Sequence, residues 1–287
     1  MTNNSRAALV GKRAAAVAVT VAMAACMCAA PGAGAALASE DAADAASSAT
    51  TTDGDTTGSS DVTDSTPAYE VATDKYTMRV NQIIYITYPT NDGAVKYKSS
   101  NKKAATVTKT GKVVARHAGK TTITATGQTK QLQLKLTVKK SNFKPVALKK
   151  LSRYSYFKKY MSDSQFQKAY NKALKIVLPL GDLNRKQQLM GVASALREMV
   201  SNMTYSMSDA HYNDPYGYLV KKTASCAGCT RATGLCLDIL GIKYEHVNEN
   251  QYTHQWARVK VGKTYWICDA YGLYCGEEPG VRQHPYF

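Results

Sequence analysis

Whole classes of residues are missing from parts of this 287-residue chain. Residues 39 to 70 contain eight Asp and Glu but no Lys or Arg. A segment of that composition cannot bury enough apolar surface to offset its chain entropy, so residues 39 to 72 are predicted to be a disordered acidic spacer. Residues 71 to 140 contain no cysteine, so a domain there must be stabilised by packing rather than by a disulfide bond.

Several kinds of site and partner lack their usual sequence features. No acidic cluster and no second close pair of Cys or His ligands is present, so we expect neither a metal nor a cofactor. Residues 71 to 287 carry 34 Lys and Arg against 13 Asp and Glu, yet no nucleic-acid-binding motif accompanies this charge, so no nucleic acid is expected as a partner. In an exported protein the excess favours an anionic cell wall as a partner, and a plain solvated basic surface is the alternative.

The first 38 residues have the pattern of an export signal. Arg6, Lys12 and Arg13 precede an alanine-rich segment, and Ala-Leu-Ala at residues 36 to 38 fits a cleavage site. The segment is too short and too weakly apolar to span a membrane, so the mature chain is expected to have no transmembrane anchor. We therefore predict a secreted or cell-surface protein, with lipidation at Cys26 as an alternative.

The middle of the chain predicts strands and then helices. In residues 73 to 140, short alternating apolar and polar runs are separated by turn groups, a pattern typical of an all-β sandwich. After a basic connector, apolar residues at helical spacing predict two helices, over residues 164 to 178 and residues 183 to 203. Asp182 is placed to cap the second helix.

The last part of the chain contains a cysteine, a histidine and an aspartate in three structural settings. The apolar spacing predicts a helix over residues 230 to 240, and Cys226 lies at or just before its first turn, where the helix dipole favours a thiolate. Two strands follow, at residues 253 to 261 and 264 to 269, joined by a tight turn. In that hairpin His254 and Asp269 become neighbours, so His254 can take the thiol proton while Asp269 fixes the imidazole tautomer.

Two segments resemble known families. Residues 96 to 125 resemble the bacterial Ig-like group 2 repeat, which is more often a spacer or wall-binding unit than a catalyst. Residues 216 to 269 resemble the core of the bacterial transglutaminase-like (papain-like) superfamily, and by position this implies Cys226 as nucleophile, His254 as base and Asp269 as orienting acid. The chain departs from that family at Cys229, Ala257 and residues 270 to 271, which support the cleft, so its substrate preference is not transferred.

These features predict a multidomain protein in which an all-β Ig-like sandwich (residues 73 to 140) precedes an α+β transglutaminase-like cysteine domain (residues 150 to 287). The resemblance implies attack on an amide of a protein or peptide, through a thioester, and we expect hydrolysis of a peptide or isopeptide bond at the cell surface. Amine transfer is an alternative, and so is a non-catalytic wall-binding or scaffolding module. The oxyanion donor is expected to be the backbone N–H of Cys226 with one side chain, Tyr205, Tyr212 and Tyr218 being the candidates.

Five cysteines remain beyond the signal: Cys226, Cys229, Cys236, Cys268 and Cys275. An odd number leaves one thiol free in an oxidising compartment, which fits a nucleophile. The pairing of the others stays open, with Cys229 or Cys236 bonded to Cys275 as one option and full reduction as another. Thiol–disulfide exchange by Cys226 and Cys229, or a reversible bridge between them, is a further alternative.

Other titratable side chains carry no expected role. His211, His246 and His284 are predicted to be surface or loop residues, and Asp238 to be a solvated charge near a helix end.

Overall fold

The structure, a computed structural model, describes residues 21–23, 70–88, 92–249 and 253–278. The predicted cleavage site, Cys26 and nearly all of the predicted acidic spacer lie outside the described residues, as does His284. Residues 21–23, within the predicted signal, form a short strand, β1.

The N-terminal part is built from two four-stranded sheets that share one core. One sheet has the strand order β1-β3-β6-β5 and the other β2-β8-β7-β4. The strands are β1 (Val21–Met23), β2 (Glu70–Arg79), β3 (Ile83–Ile86), β4 (Lys96–Ser99), β5 (Ala105–Val107), β6 (Lys112–Ala115), β7 (Gly119–Thr126) and β8 (Lys130–Lys139). The first long strand therefore begins inside the segment predicted as spacer.

Strict alternation of residues explains this core. In β8, Leu132, Leu134, Leu136 and Val138 are buried, and the polar residues between them face outward. Met78, Ile84 and Ile123 join them from other strands of both sheets. Residues 71 to 140 contain no cysteine, so packing of this core and the hydrogen bonds between its strands stabilise this part of the chain.

The C-terminal part has a mixed α/β architecture. Four helices, α1 (Tyr154–Lys158), α2 (Asp163–Val177), α3 (Arg185–Val200) and α4 (Cys226–Ile239), accompany a two-stranded parallel pair and a four-stranded antiparallel sheet. The parallel pair consists of β9 (Thr204–Tyr205) and β10 (Thr223–Ala224). The antiparallel sheet has the strand order β11-β12-β13-β14. Its strands are β11 (Glu245–Val247), β12 (Trp256–Val261), β13 (Thr264–Asp269) and β14 (Tyr274–Glu277). A 3₁₀ turn (Leu148–Lys150) and a π-helical turn (Gly217–Lys221) complete it. Helices α2, α3 and α4 bury their apolar faces together with one face of the sheet in a single core.

The predicted helices are present, and one cap differs. Ser162 caps α2 in a reciprocal capping box with Gln165. Asn184, not Asp182, caps α3, again with the side chain three residues on. Asp182 instead accepts hydrogen bonds from the Ser141 hydroxyl (2.6 Å) and the Asn142 backbone N–H (2.9 Å), and so ties the connector to the start of α3.

Of the helices in the described part of the chain, none is long and apolar enough to cross a membrane.

Candidate active site

Cys226 is the first residue of α4, so its sulfur lies at the positive end of that helix. The preceding Ser225 is extended and makes no side-chain capping bond. Burial opposes ionisation of the Cys226 thiol, but a hydrogen bond with His254 and backbone donors at Gln255 and Ala227 outweigh it. The net result is a lowered pKa for Cys226.

His254 connects the cysteine to Asp269. Its Nε2 lies 2.6 Å from Asp269 Oδ2, which leaves Nδ1 as the nitrogen for the Cys226 thiol. Burial alone would lower the pKa of His254, but the hydrogen bonds with Asp269 and Cys226 raise it to about 9. A lowered cysteine pKa and a raised histidine pKa together favour a thiolate–imidazolium pair near neutral pH.

The hairpin has the predicted tight turn, with Val261 opposite Thr264, but its first strand begins three residues later than expected. Strand β12 begins at Trp256, and Ala257 lies opposite Cys268. His254 therefore precedes the strand and reaches Asp269 diagonally rather than from the directly opposite position. Its ring stacks on that of Trp256, two residues along the chain, with centroids 5.9 Å apart.

Asp269 is held by the turn that follows it. Its Oδ1 accepts a hydrogen bond of 2.8 Å from the Gly272 backbone N–H. A Cβ atom on Gly272 would lie 2.1 Å from Asp269 Oδ2 and 2.9 Å from His254 Nε2. The close approach of this turn to the His254–Asp269 pair thus requires a glycine.

Hydrogen bonds also hold the segment around His254 in place, including one to α4. Asn248 donates from Nδ2 to the His254 carbonyl (3.0 Å), and the Thr230 hydroxyl of α4 lies 2.8 Å from the Gln255 carbonyl. His246 contacts the Gln255 side chain at 2.7 Å. These bonds fix the position of the imidazole relative to the start of α4.

A buried arginine supports the same loop, and sequence reasoning missed it. Arg231 is only 3% exposed. Its guanidinium donates to the Tyr156 hydroxyl (2.6 Å) and to the Asn213 carbonyl (2.9 Å), and it lies 3.7 Å from Glu249. No local sequence pattern predicts these partners, since Tyr156 lies 75 residues away along the chain.

Aromatic side chains border the site, and they separate two of the three oxyanion candidates. Tyr212, the third, is half-buried, and its backbone carbonyl accepts from the Ser225 N–H. Tyr218 is excluded, because it is fully buried and its hydroxyl donates to the Leu196 carbonyl at 2.8 Å. Tyr205 is about half exposed, and burial followed by the nearby charge of Cys226 raises its pKa. Tyr271 lies between Tyr205 and His254, with ring centroids 6.0 and 6.1 Å from theirs.

Cys229 differs from Cys226 in every respect that matters for redox chemistry. It is 1% exposed, and burial strongly raises its pKa. A thiol of that kind is a poor partner for rapid thiol–disulfide exchange, which requires a thiolate. The environment of Cys229 therefore argues against the redox alternative.

Two other expectations, for Asp238 and His246, are wrong, and His211 lies in a turn as expected but has an acidic partner. Asp238 is 3% exposed rather than solvated, and it accepts from the Ser152 hydroxyl and from the Arg153 N–H. His211 is paired, with Nδ1 2.6 Å from the buried Asp214. His246 is also buried, and its burial lowers its pKa to about 4. The Asp238 contacts join α4 to residues 152 and 153, which sequence periodicity treats separately.

Within the described ranges, no group of three His, Cys, Asp or Glu side chains is arranged to hold a metal ion.

Comparison with known proteins identifies one part of the chain. Residues 50–138 match the family model described as bacterial Ig-like domain (group 2), a range that contains β2 to β7 and all of β8 except its last residue. No transglutaminase-like domain is detected, and no curated protein matches the chain. The chain therefore contains an Ig-like β domain followed by a mixed α/β region.

Proposed function

We propose that the C-terminal region is a transglutaminase-like cysteine hydrolase that cleaves peptide or isopeptide bonds with Cys226, His254 and Asp269. One observation carries this proposal: a helix-start thiol is hydrogen-bonded to an imidazole whose other nitrogen lies 2.6 Å from a buried carboxylate. That is the arrangement of nucleophile, base and orienting acid used for acyl transfer. Helices packed on an antiparallel sheet that carries the acid are consistent with the papain-like fold.

The first half of the proposed reaction forms a thioester. The Cys226 thiolate attacks the amide carbon, and the oxyanion is stabilised by the backbone N–H of Cys226 and by the Tyr205 hydroxyl. The His254 imidazolium gives its proton to the leaving nitrogen as the C–N bond breaks. Asp269 keeps the imidazole in the tautomer and orientation that this transfer needs.

The second half regenerates the thiolate. Water gives a proton to neutral His254 as its oxygen attacks the thioester carbon, and the C–S bond breaks. The carboxylic acid leaves, and the Cys226–His254 pair is again thiolate and imidazolium. A primary amine in place of water would give a new amide, which is the alternative activity.

The expected first result is an acyl adduct on Cys226. The purified chain would be incubated with peptide amides and glutaminyl peptides, with and without a primary alkyl amine, and the Cys226 peptide analysed by mass spectrometry. We expect a Cys226-dependent thioester and a carboxylic acid product, with the acid still dominant when amine is present. The Cys226→Ala variant, checked for folding by circular dichroism, is the control.

The same experiment separates the alternatives. A new amide as main product would replace hydrolysis with amine transfer. A folded chain with a reactive Cys226 that forms no adduct with any of these substrates would support the scaffolding alternative instead.

A second function, binding of an anionic cell-wall polymer, is favoured by the outward face of the β2-β8-β7-β4 sheet. Side chains alternate along these strands, so the registers define one solvent-facing set with no Asp or Glu. We call its cations the basic face: Lys75, Arg79, Lys96, Lys98, Lys120, Lys135 and Lys139. Threonine hydroxyls lie between them, including Thr77, Thr122 and Thr137. A surface of one sign attracts a polyanion, and the Ig-like match, typical of extracellular proteins, supports the proposed location.

Neutralising part of the basic face should weaken wall binding. The triple change Lys75→Gln, Lys120→Gln and Lys135→Gln is expected to reduce co-sedimentation with isolated, anionic wall material roughly tenfold, because three exposed cations are lost from one surface. The matched control changes Lys102, Lys103 and Lys109 to Gln, which removes the same charge from exposed positions outside that surface. Equal losses in both triple variants would show that net charge, not the basic face, governs binding.

A further inference from the structure

Cys268 and Cys275 occupy directly opposite positions on β13 and β14. At the other end of the β13–β14 strand pair, the Glu278 N–H donates to the Tyr265 carbonyl at 2.7 Å. Opposite residues alternate between hydrogen-bonded and non-hydrogen-bonded pairs in an antiparallel ladder. Tyr265 and Glu278 are therefore a hydrogen-bonded pair. Cys268 and Cys275 lie three positions further along the register, so they are a non-hydrogen-bonded pair.

This kind of pair suits a disulfide. Cα atoms of a non-hydrogen-bonded pair are about 4.5 Å apart, which falls within the range of about 4.4–6.8 Å that a disulfide spans. Both side chains point to the same face of the sheet, and their thiols are already in hydrogen-bonding contact. The bond therefore requires no displacement of either strand.

The other described cysteines have different surroundings. Cys226 is engaged by His254, and Cys229 and Cys236 are buried within α4, about 10.5 Å apart along its axis. Cys268 is also buried, with its sulfur 3.5 Å from the Leu189 carbonyl of α3, whereas Cys275 is partly exposed. An oxidant can reach Cys275, and Cys268 lies directly behind it.

We propose that Cys268 and Cys275 form a cross-strand disulfide in the exported protein. The proposal rests on the proposed export, since such bonds persist in oxidising compartments. The bridge closes the base of the turn at residues 270 to 273, which supplies Gly272 to Asp269 and Tyr271 to the site. It replaces the earlier option of a bond from Cys229 or Cys236 to Cys275, and it leaves Cys226 free.

The oxidant is a protein or small molecule that carries an exchangeable disulfide. The Cys275 thiolate attacks that disulfide, forms a mixed disulfide and releases one thiolate of the oxidant. The Cys268 sulfur, after losing its proton, attacks the Cys275 sulfur and releases the second. Two thiols of the chain lose two protons and two electrons, and the oxidant is reduced to two thiols.

Differential alkylation of the whole chain tests the bond. After incubation with glutathione disulfide, unreduced protein should give a tryptic peptide of residues 264 to 282 that carries no label and lacks two hydrogens, and reduction should expose two labelled cysteines. The Cys226→Ala background should give the same result, because the bridge does not need turnover. Reduction is expected to lower the melting temperature by about 5 °C, as for loss of a short cross-link.

Variants make the assignment specific. Cys236→Ser should keep the bridge, whereas Cys275→Ser should lose both the bridge and the effect of reduction on melting. Full labelling of Cys268 and Cys275 in the oxidised, folded protein would overturn the proposal, and so would a bond from either residue to Cys226, Cys229 or Cys236.

Discussion

His254→Ala is expected to slow alkylation of Cys226 by iodoacetamide by on the order of a hundredfold near pH 6. An ordinary thiol, with a pKa of about 8.5, is ionised to well under one per cent at that pH. In the protein, the hydrogen bond with His254 is the largest influence that opposes the burial of Cys226. Without it, burial dominates and the thiol stays protonated.

The directions of the two pKa shifts fix the pH dependence. As pH rises, the Cys226 thiolate forms below the ordinary range, and His254 keeps its proton until about pH 9. Alkylation needs only the thiolate, so its rate should rise through the lowered Cys226 pKa and should not fall at high pH. Amide hydrolysis also needs the imidazolium as an acid, so its rate should decline as pH passes about 9.

Peptide mass spectrometry of the Cys226 peptide over a pH series measures this effect. The control is His117→Ala, which removes a histidine from the Ig-like domain, far from the thiol in sequence. Both the control and the unaltered chain should show fast labelling near pH 6. Identical pH profiles for the His254 variant and the unaltered chain would mean that no thiolate–imidazolium pair forms.

Local features of the sequence were sufficient to predict helices α2, α3 and α4, although not the short α1, and to bring His254 close to Asp269. Apolar spacing placed α2 within one residue of its observed bounds, because that helix buries one continuous face. The turn at Gly262 produces the β12–β13 hairpin, which brings His254 close to Asp269. The sites of Cys226, His254 and Asp269 follow from elements that are each encoded within a few residues.

Local sequence patterns did not predict the contacts between residues far apart in the chain. Asp238 was predicted to be a solvated charge and Arg231 was given no role, yet each has a partner about 75 to 86 residues earlier, in the segment around α1. The turn register already places Trp256, not His254, opposite Asp269, but alternation alone does not show that β12 begins only at Trp256. The opposition of Cys268 and Cys275 depends on β14, a strand that the sequence did not predict.

Gly272→Ala is expected to damage the site almost as much as loss of Asp269, although it adds a single methyl group. The φ angle of Gly272 lies outside the left-handed region, so the backbone itself would accept alanine. The new Cβ, however, would lie 2.1 Å from Asp269 Oδ2, and that carboxylate cannot yield freely because its other oxygen is bonded to the Gly272 N–H.

Displacing the Asp269 carboxylate should change the properties of both His254 and Cys226. The hydrogen bond with Asp269 is the largest influence that raises the pKa of His254, so that pKa should fall from about 9 towards its ordinary value. Without its orienting acid, His254 stabilises the Cys226 thiolate less. We therefore expect Cys226 alkylation near pH 6 to slow by on the order of tenfold to a hundredfold.

Gly276→Ala is the matched control, because a Cβ there would meet only the flexible Tyr274 ring, at 3.3 Å or more. NMR titration of His254 and the alkylation rate of Cys226 should both be unchanged in this variant and altered in Gly272→Ala, with circular dichroism confirming that both fold. If Gly272→Ala keeps a His254 pKa near 9, the turn after Asp269 can move aside. Asp269 would then be positioned by β13 rather than by residues 270 to 273.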